Sequence, residues 1–291
     1  MEDSKIYSLK SSLTQHRWHI LAIIVLVLLE CLLIGYLGYW REFFWESVQK
    51  KELHNFLVLI AQFTVAALGI CFVSGYTTYL VSTLGLKLRK DLTVIAITRD
   101  FKAIEGGEQR VQEDCFRYPL NAVLLLVGLL RNVLILSTFV VIISVQVGAL
   151  YLIIPIVYTL VGTGIAGWIA KPLIKLNYLI QVVEAKFRRQ VLSIGNLSSY
   201  QEVDETNKTM FIATKKLNYF QSFYNQVTVV VPYLILFPLY FGGTIVFGVF
   251  MQVASSMGHV IDSLSYIINS FNDINNWLSC RKRLQELGVI K

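Results

Sequence analysis

Eight polar residues recur at spacings of three or four positions in a segment near the end of the chain that is otherwise apolar. On an α-helix, this spacing places them on one face. They are Gln252, Ser255, His259, Asp262, Tyr266, Asn269, Asp273 and Asn276. Lipid would leave such groups without hydrogen-bond partners, so the face must line a wet cavity or pair with another polar face in a dry helix dimer. We favour the cavity, in which His259 and Asp262, one turn apart, are candidates to share and transfer a proton.

A second charged cluster lies in residues 105–119, which read EGGEQRVQEDCFRYP. Arg110 stands three and four positions before Glu113 and Asp114, and Glu113 stands four before Arg117, so ion pairs along one helix are expected. One interpretation is a solvated helix, in which exposed pairs contribute little. The other is a gate network at the mouth of a pathway, where Glu113 and Asp114 change protonation or partner.

Two further ionisable residues, Glu30 and Arg131, fall in the middle of apolar runs. Such residues are costly inside a membrane and often functional. Glu30 is therefore a candidate for proton coupling and Arg131 a candidate for the cavity lining. The alternative is that the two side chains simply pair within a helix bundle.

The elements that must position these residues are membrane helices, since the 291-residue chain is 55% hydrophobic and 15% charged. A bilayer core needs about 20 apolar residues per helix. The six candidate spans are about 18–40, 55–86, 120–147, 149–170, 219–241 and 244–279. We predict an all-α transmembrane domain over 18–279, a cytoplasmic N-terminal segment at 1–17 and a cytoplasmic tail at 280–291. The first run is too long for a cleavable signal peptide, so we expect it to be retained.

Lys and Arg are distributed unevenly between the predicted loops. Seven lie between spans two and three and eight between spans four and five, whereas the turns after spans three and five have none. By the positive-inside rule, both termini are predicted to be cytoplasmic. This asymmetry accounts for the net charge of +7, so no nucleic-acid partner is expected. The four cysteines show no CxxC pairing, and neither a disulfide framework nor a metal site is predicted.

Long helices that continue into two cytoplasmic loops, joined by very short outer turns, describe the membrane half of the exporter-type ABC fold. In that fold the domain is a homodimer that exchanges a helix pair, because six helices of one subunit cannot enclose a pathway alone. Prolines at positions 155, 172, 232 and 238 are expected to kink the spans of such a domain.

The segment EGGEQRVQEDCFR is similar to the EGxxQRVQEDxxR segment of the SbmA/BacA-like peptide transporters. YTLVGTGIAG, VEAKFRRQ with KKLNYFQSFYNQV, and GGTIVFGVFMQVASSMGHVIDSLSYIINSF agree with the same family in the same order, over about residues 30–286. The resemblance implies import driven by an ion gradient, with Glu184 matching a family glutamate. The alternative for Glu184 is an ion pair with Arg188. Val123 stands where the family has a further glutamate.

The sequence contains no GxxxxGK[ST] phosphate-binding motif, so we expect no ATP hydrolysis by this polypeptide and no cofactor. We predict a proton-driven importer, in a bacterial inner membrane, of peptides, including peptide antibiotics, or similar bulky hydrophilic compounds. The alternative is the transmembrane subunit of an ABC transporter for peptide or cobalamin-like cargo that works with a separate ATPase chain. A membrane receptor or assembly factor is less favoured, since it needs no polar face through the bilayer.

Overall fold

The computed structural model describes residues 14–98, 107–193 and 198–290, and all regular secondary structure in these ranges is helical. The long helices are α1 (Arg17–Lys50), α2 (Leu53–Ile97), α3 (Cys115–Gln146), α4 (Ile153–Ser193), α5 (Ser198–Phe241), α6 (Phe247–Leu264) and α7 (Phe271–Glu286). Short helical segments are Gly107–Gln109, the π-helical Arg110–Asp114, the 3₁₀-helical Ala149–Leu152 and Tyr266–Asn269.

Three tight turns join the long helices at one end of the bundle, here named the turn end. They contain Lys51, Gly148 and Gly243, each with a positive φ, of 58°, 96° and 74° respectively. Glycine adopts such values without steric cost, which fits its use in two of the three turns. The opposite end, named the basic end, holds Lys87, Arg89, Arg117 and Arg281, in keeping with the charge asymmetry of the sequence.

Five of the described helical segments are long and apolar enough to cross a membrane. They are Arg17–Lys50, Leu53–Ile97, Val111–Gln146, Ala149–Ile169 and Val203–Phe241. The structure does not confirm a sixth span by the same measure, because α6 has 18 residues and carries Gln252, His259 and Asp262 among its apolar positions. The 45 residues of α2 span about 65–70 Å, so this helix extends well beyond a hydrocarbon core of about 30 Å.

Helix α6 lies at the centre of the packing and contacts α1, α3, α4 and α5. Its inner face supplies Val253, Met257 and Val260 to a core cluster that also contains Phe139 and Leu236. Helices α4 and α5 pack chiefly along each other, and α1 packs along α2. The position of α6 therefore determines which of its polar residues face protein and which face open space.

The single helix predicted over 244–279 is interrupted twice in the structure. Ser265 (φ −78°, ψ −3°) and Ser270 (φ −89°, ψ 7°) leave the ideal helical geometry and separate α6, the Tyr266–Asn269 segment and α7. The Ser265 hydroxyl lies 3.4 Å from the Tyr224 hydroxyl of α5. The prediction of one uninterrupted helix was wrong, although the chain stays helical on both sides of each serine.

Candidate functional site

A cleft of about 560 Å³, here named the polar cleft, lies between α1, α5 and α6. Helix α1 contributes Arg41 and Trp45, and α5 contributes Asn225 and Tyr233. The contributions of α6 include Ser255, Gly258, His259 and Asp262, and Asn269 follows in the next helical segment. Its volume is in the range of ordinary ligand sites, and its lining combines apolar walls with a few polar groups.

Four residues of the predicted polar face come together at this cleft, namely Ser255, His259, Asp262 and Asn269. Arg41, which also lines this cleft, was not among the predicted site residues, because it lies just beyond the first predicted span, 18–40. In the structure, α1 continues through Arg41 to Lys50, so the guanidinium stays on the bundle. The only sequence signal that could have marked Arg41 as a site residue is its position directly after the long apolar run.

Gln252 belongs to the same predicted face but lies in the protein interior, with 0% exposure. Its Nε2 donates to the Gly38 carbonyl oxygen at 3.2 Å, and its Oε1 accepts from Gln146 Nε2 at 2.9 Å. Gln146 Nε2 also donates to Glu42 Oε2 at 2.8 Å. This network joins α1, α3 and α6 near the turn end, so Gln252 holds helices together and does not line the polar cleft.

His259 and Asp262 both face the polar cleft but do not form a pair. The imidazole of His259 stacks on the Phe139 ring, with centroids 4.2 Å apart and planes inclined by 17°. Within the described residues, no histidine nitrogen lies within 4 Å of the Asp262 carboxylate. The shared-proton geometry expected from their spacing is therefore not formed in this structure.

Glu30 and Arg131 form a buried ion pair between α1 and α3. Arg131 Nη2 donates to Glu30 Oε2 at 2.7 Å, and Glu30 is only 4% exposed. The adjacent Cys31 thiol lies 3.9 Å from the Arg131 carbonyl oxygen. This arrangement is the pairing that the sequence offered as the structural alternative, and Arg131 does not line the polar cleft.

Asp114 is paired at the basic end, but with a partner that the sequence did not indicate. Arg283 of α7 donates from Nε to Asp114 Oδ2 at 2.8 Å and from Nη2 to Oδ1 at 2.7 Å. Asp114 is 2% exposed and closes the π-helical segment Arg110–Asp114. A π-helical turn shifts side chains out of α-helical register, and the partner Arg283 lies 169 positions from Asp114 in sequence, so local spacing does not reveal it. The hydrogen bond to Asp114 raises the pKa of Arg283 above its ordinary value.

The remaining members of the predicted gate network are not joined in the described part of the structure. Glu113 is partly exposed and Arg117 is exposed, and no ion pair connects them among the described residues. The side chains of Arg110 and Glu184 lie outside the described residues. The roles assigned to Glu113, Arg117 and Glu184 therefore stay predictions.

Three further residues of the predicted face lie away from the polar cleft. The Tyr266 hydroxyl donates to the Leu125 carbonyl oxygen at 3.0 Å, and its ring occupies the space beside Gly128. Asp273 and Asn276 are exposed on α7. In the described ranges, no three His, Cys, Asp or Glu side chains are grouped closely enough to hold a metal ion.

The sequence profile of the SbmA/BacA-like family matches residues 15–290, nearly the whole chain. The chain belongs to the SbmA/BacA-like family. This confirms the resemblance inferred from the four motifs.

Curated relatives of this SbmA/BacA-like protein are ABC transporters. ABC transporter D family member 2, chloroplastic, of Arabidopsis thaliana is 23% identical over 87% of the chain and 40% of its own length. The inner membrane ABC transporter ATP-binding protein YddA of Escherichia coli is 23% identical over 91% of the chain and 56% of its own length. An uncharacterized ABC transporter ATP-binding protein of Synechocystis sp. is 27% identical over 72% of the chain and 36% of its own length. The chain thus spans about half the length of these relatives or less.

Val123, where the SbmA/BacA-like resemblance places a further glutamate, lines an apolar pocket of about 230 Å³ between α2, α3 and α7. Leu88, Leu92 and Trp277 are among its neighbours there. A carboxylate at this position would lose hydration against apolar side chains, so the valine matches its surroundings.

Proposed function

We propose that this SbmA/BacA-like chain is a secondary, proton-driven importer of peptides, including peptide antibiotics, or of similar bulky hydrophilic compounds. The observation that carries the proposal is the polar cleft, in which Arg41, His259 and Asp262 face open space among long apolar helices. Charges at this depth are costly unless they contact water, each other or a cargo. Membership of a transporter family and the ABC-transporter relatives support a transport function.

The proposed arrangement is a homodimer in a bacterial inner membrane, with six spans per chain and both termini in the cytoplasm. The basic end would then face the cytoplasm and the turn end the outside, in line with the positive-inside rule. A helix pair exchanged between subunits is supported by α4 and α5, which pack chiefly along each other. Their outer faces leave Trp168 and Phe223 exposed for a partner or for lipid.

Asp262 is our first candidate for the proton-binding group, with His259 as the second. The Asp262 carboxylate faces the polar cleft without a cation within 4 Å among the described residues. Glu30 and Asp114 are engaged by arginines, so their protonation would first have to break an ion pair. Glu113 and Glu184 would serve at the cytoplasmic mouth.

The proposal is tested by uptake of a fluorescent proline-rich peptide into liposomes that contain only this protein. With an inward pH gradient and no ATP, we expect accumulation that collapses when a protonophore is added. Asp262→Asn should reduce gradient-driven uptake. Uptake that is indifferent to the gradient would rule out proton coupling.

A second candidate function is the transmembrane subunit of an ABC transporter with a separate ATPase chain. Phe211 and Ile212 of α5 favour it, since they are 66% and 58% exposed. They lie about 30 residues before the turn end of α5, or roughly 45 Å along the helix, beyond a hydrocarbon core of about 30 Å. Two of the relatives are named ATP-binding proteins. Affinity purification from native membranes, with Phe211→Ser/Ile212→Ser as the control, would recover an ATPase only if this function is correct.

A further inference from the structure

Arg41 reaches the polar cleft from α1. In the described ranges, no Asp or Glu oxygen lies within 4 Å of its guanidinium. The neighbouring Glu42 carboxylate accepts a hydrogen bond from Gln146 instead. The guanidinium keeps its charge at every accessible pH, and removing it from bulk water without a counter-ion is costly. The Arg41 end of the cleft therefore favours an anionic group on a ligand.

Asp262 supplies the opposite charge from α6, nearer to the basic end than Arg41. Its side chain faces the polar cleft, and no Lys, Arg or His nitrogen of the described residues lies within 4 Å of it. His259 lies one turn nearer the turn end, with its ring held against Phe139. The Asp262 end of the cleft favours a cationic group, and the two ends therefore have opposite preferences.

The separation of the two charges sets the length of a ligand that contacts both. Gln252 bonds to the Gly38 carbonyl oxygen, and Gly248 packs against the backbone of Glu42, so Arg41 is level with residues 248–252 of α6. Asp262 follows ten to fourteen residues later, which at about 1.5 Å per residue is roughly 15–20 Å along the helix. This is the distance between the backbone positions, and the Arg41 side chain shortens the distance between the charges, because its guanidinium acts electrostatically on His259, one turn from Asp262. An extended peptide of at most about four to six residues, at about 3.3–3.6 Å per residue, therefore contacts both charges.

The wall between the two charges offers groups that a peptide backbone can use. Asn225 of α5 and Ser255 of α6 place an amide and a hydroxyl on the cleft. Trp45 and Tyr233 flank the Arg41 end and provide flat apolar surface. Gly258 leaves open space on α6, since a Cβ there would meet nothing within 4 Å.

We propose that the polar cleft binds a short zwitterionic peptide, with its carboxylate against Arg41 and its ammonium group against Asp262. This rests on the proposed function and deepens it, since it names the charge pattern, the maximum length and the orientation of the cargo. Arg41 and Asp262 are then specificity-determining residues, and a peptide enters with its amino end leading toward the basic end.

The test is equilibrium binding of tritiated Lys-Ala-Ala-Ala-Ala to the purified full-length protein in detergent. Two analogues are compared with it: the C-terminal amide, and a peptide whose lysine is replaced by N-acetyl-norleucine. A charge-assisted hydrogen bond lost from a binding site weakens binding about tenfold or more, so the wild type should bind both analogues at least that much more weakly.

The variants assign each end of the peptide. Arg41→Gln should bind the free acid and the amide equally well and still discriminate against the norleucine analogue. Asp262→Asn should bind the lysine peptide and the norleucine analogue equally well and still prefer the free acid to the amide. Arg41→Lys should keep the preference for the free acid, and Lys50→Gln, which removes a cation of α1 paired with Glu46, should change nothing.

Equal binding of the acid and the amide by the wild-type protein would overturn the inference, as would an Arg41→Gln variant that weakens both peptides alike. The wild-type comparison needs no variant, so it stands even where a substitution impairs folding. Failure of the proposed function is distinguishable, because it would appear as charge-selective binding without gradient-driven uptake.

Discussion

Asp114 and Arg283 at the basic end bind each other through two hydrogen bonds, whereas Arg41 and Asp262 face the polar cleft with no counter-ion within 4 Å among the described residues. Around the first pair, Cys115 and Leu284 are fully buried and α7 is fixed against α3. Around the second pair, the space between helices is open. A charge with a satisfied partner orders helices, while a charge without one keeps hydrogen-bonding capacity for a ligand.

The largest effect is expected when one member of the Asp114–Arg283 pair, here named the closed pair, is removed. Arg283→Ala leaves the buried Asp114 carboxylate without its partner, which costs about 3–5 kcal/mol in the free energy of unfolding. Denaturant unfolding in detergent measures the change. The exposed neighbour Arg281 provides the control, since Arg281→Ala should change the stability by less than about 0.5 kcal/mol.

The pH dependence of that penalty follows from the raised pKa of Arg283. A raised folded-state pKa gives stabilisation that is fully present below the unfolded pKa and lost only as the pH rises through the folded value. The folded-state and the unfolded-state pKa of Arg283 both lie far above neutrality. The loss of unfolding free energy in Arg283→Ala should therefore be equal at pH 6 and pH 9. A penalty that disappears at pH 9 would contradict the ion-pair account.

Cys280 reports whether the closed pair opens. Burial, followed by the charge of Asp114, raises the pKa of this thiol, so it stays protonated and unreactive at neutral pH. Cys71 is exposed, whereas Cys31, Cys115 and Cys280 are buried, so the experiment uses a Cys71→Ser background. In this background, Arg283→Ala should increase alkylation of Cys280 severalfold. Unchanged labelling would mean that the Asp114 contact does not hold α7 in place.

Filling the open cleft should affect transport and leave stability almost unchanged. Gly258 lies on the polar cleft, and Gly75 lies on the exposed face of α2, and a Cβ at either meets nothing within 4 Å. Gly258→Phe should reduce peptide uptake more than tenfold, because the ring occupies the space between Arg41 and Asp262. Gly75→Phe should transport normally, and equal loss in both variants would show that the cleft is not the pathway.

A smaller effect is expected at Gln252, whose side chain is buried against α1 and α3. Gln252→Leu leaves the Gly38 carbonyl oxygen without this donor, and burying an unsatisfied group costs about 1–3 kcal/mol. Ser255→Ala, one turn away on the cleft side of α6, should cost less than about 0.5 kcal/mol. Unfolding measurements on both variants test whether the polar face of α6 divides in this way.

The smallest effect is expected for an exposed ion pair. Asp204 and Lys208 of α5 are 2.6 Å apart, but both side chains are largely in solvent. Exposed pairs at i, i+4 contribute about 0.3–0.5 kcal/mol. Asp204→Ala should therefore leave the unfolding midpoint within experimental error, and a change as large as that of Arg283→Ala would contradict the distinction drawn between buried and exposed pairs.

Much of the fold was predictable because long apolar runs and the Lys/Arg distribution are local properties of the chain. The Glu30–Arg131 pair was also foreseeable, since two ionisable residues in apolar helices must find partners. The breaks in the polar face between residues 252 and 276 could not be predicted in this way. The interruptions at Ser265 and Ser270 break the helical register, so residues 252 and 276 do not share one face of a single helix.

The remaining errors have physical causes that no local pattern reveals. The π-helical turn before α3 redirects Asp114, and its partner Arg283 is 169 residues away in sequence. Arg41 reads as a loop charge because the apolar run ends at Trp40, while the helix itself continues to Lys50. Tertiary packing, not hydropathy, decided where these three side chains lie.

The central claim, that cargo binds in the polar cleft, is tested most directly by protection of a cysteine placed there. In a Cys71→Ser background, Ser255→Cys should react with a maleimide, and saturating Lys-Ala-Ala-Ala-Ala should slow that reaction severalfold. Gly75→Cys on α2 should be labelled at the same rate with and without peptide. If the peptide binds the protein but Ser255→Cys is labelled at an unchanged rate, the cargo site lies elsewhere and the account is wrong.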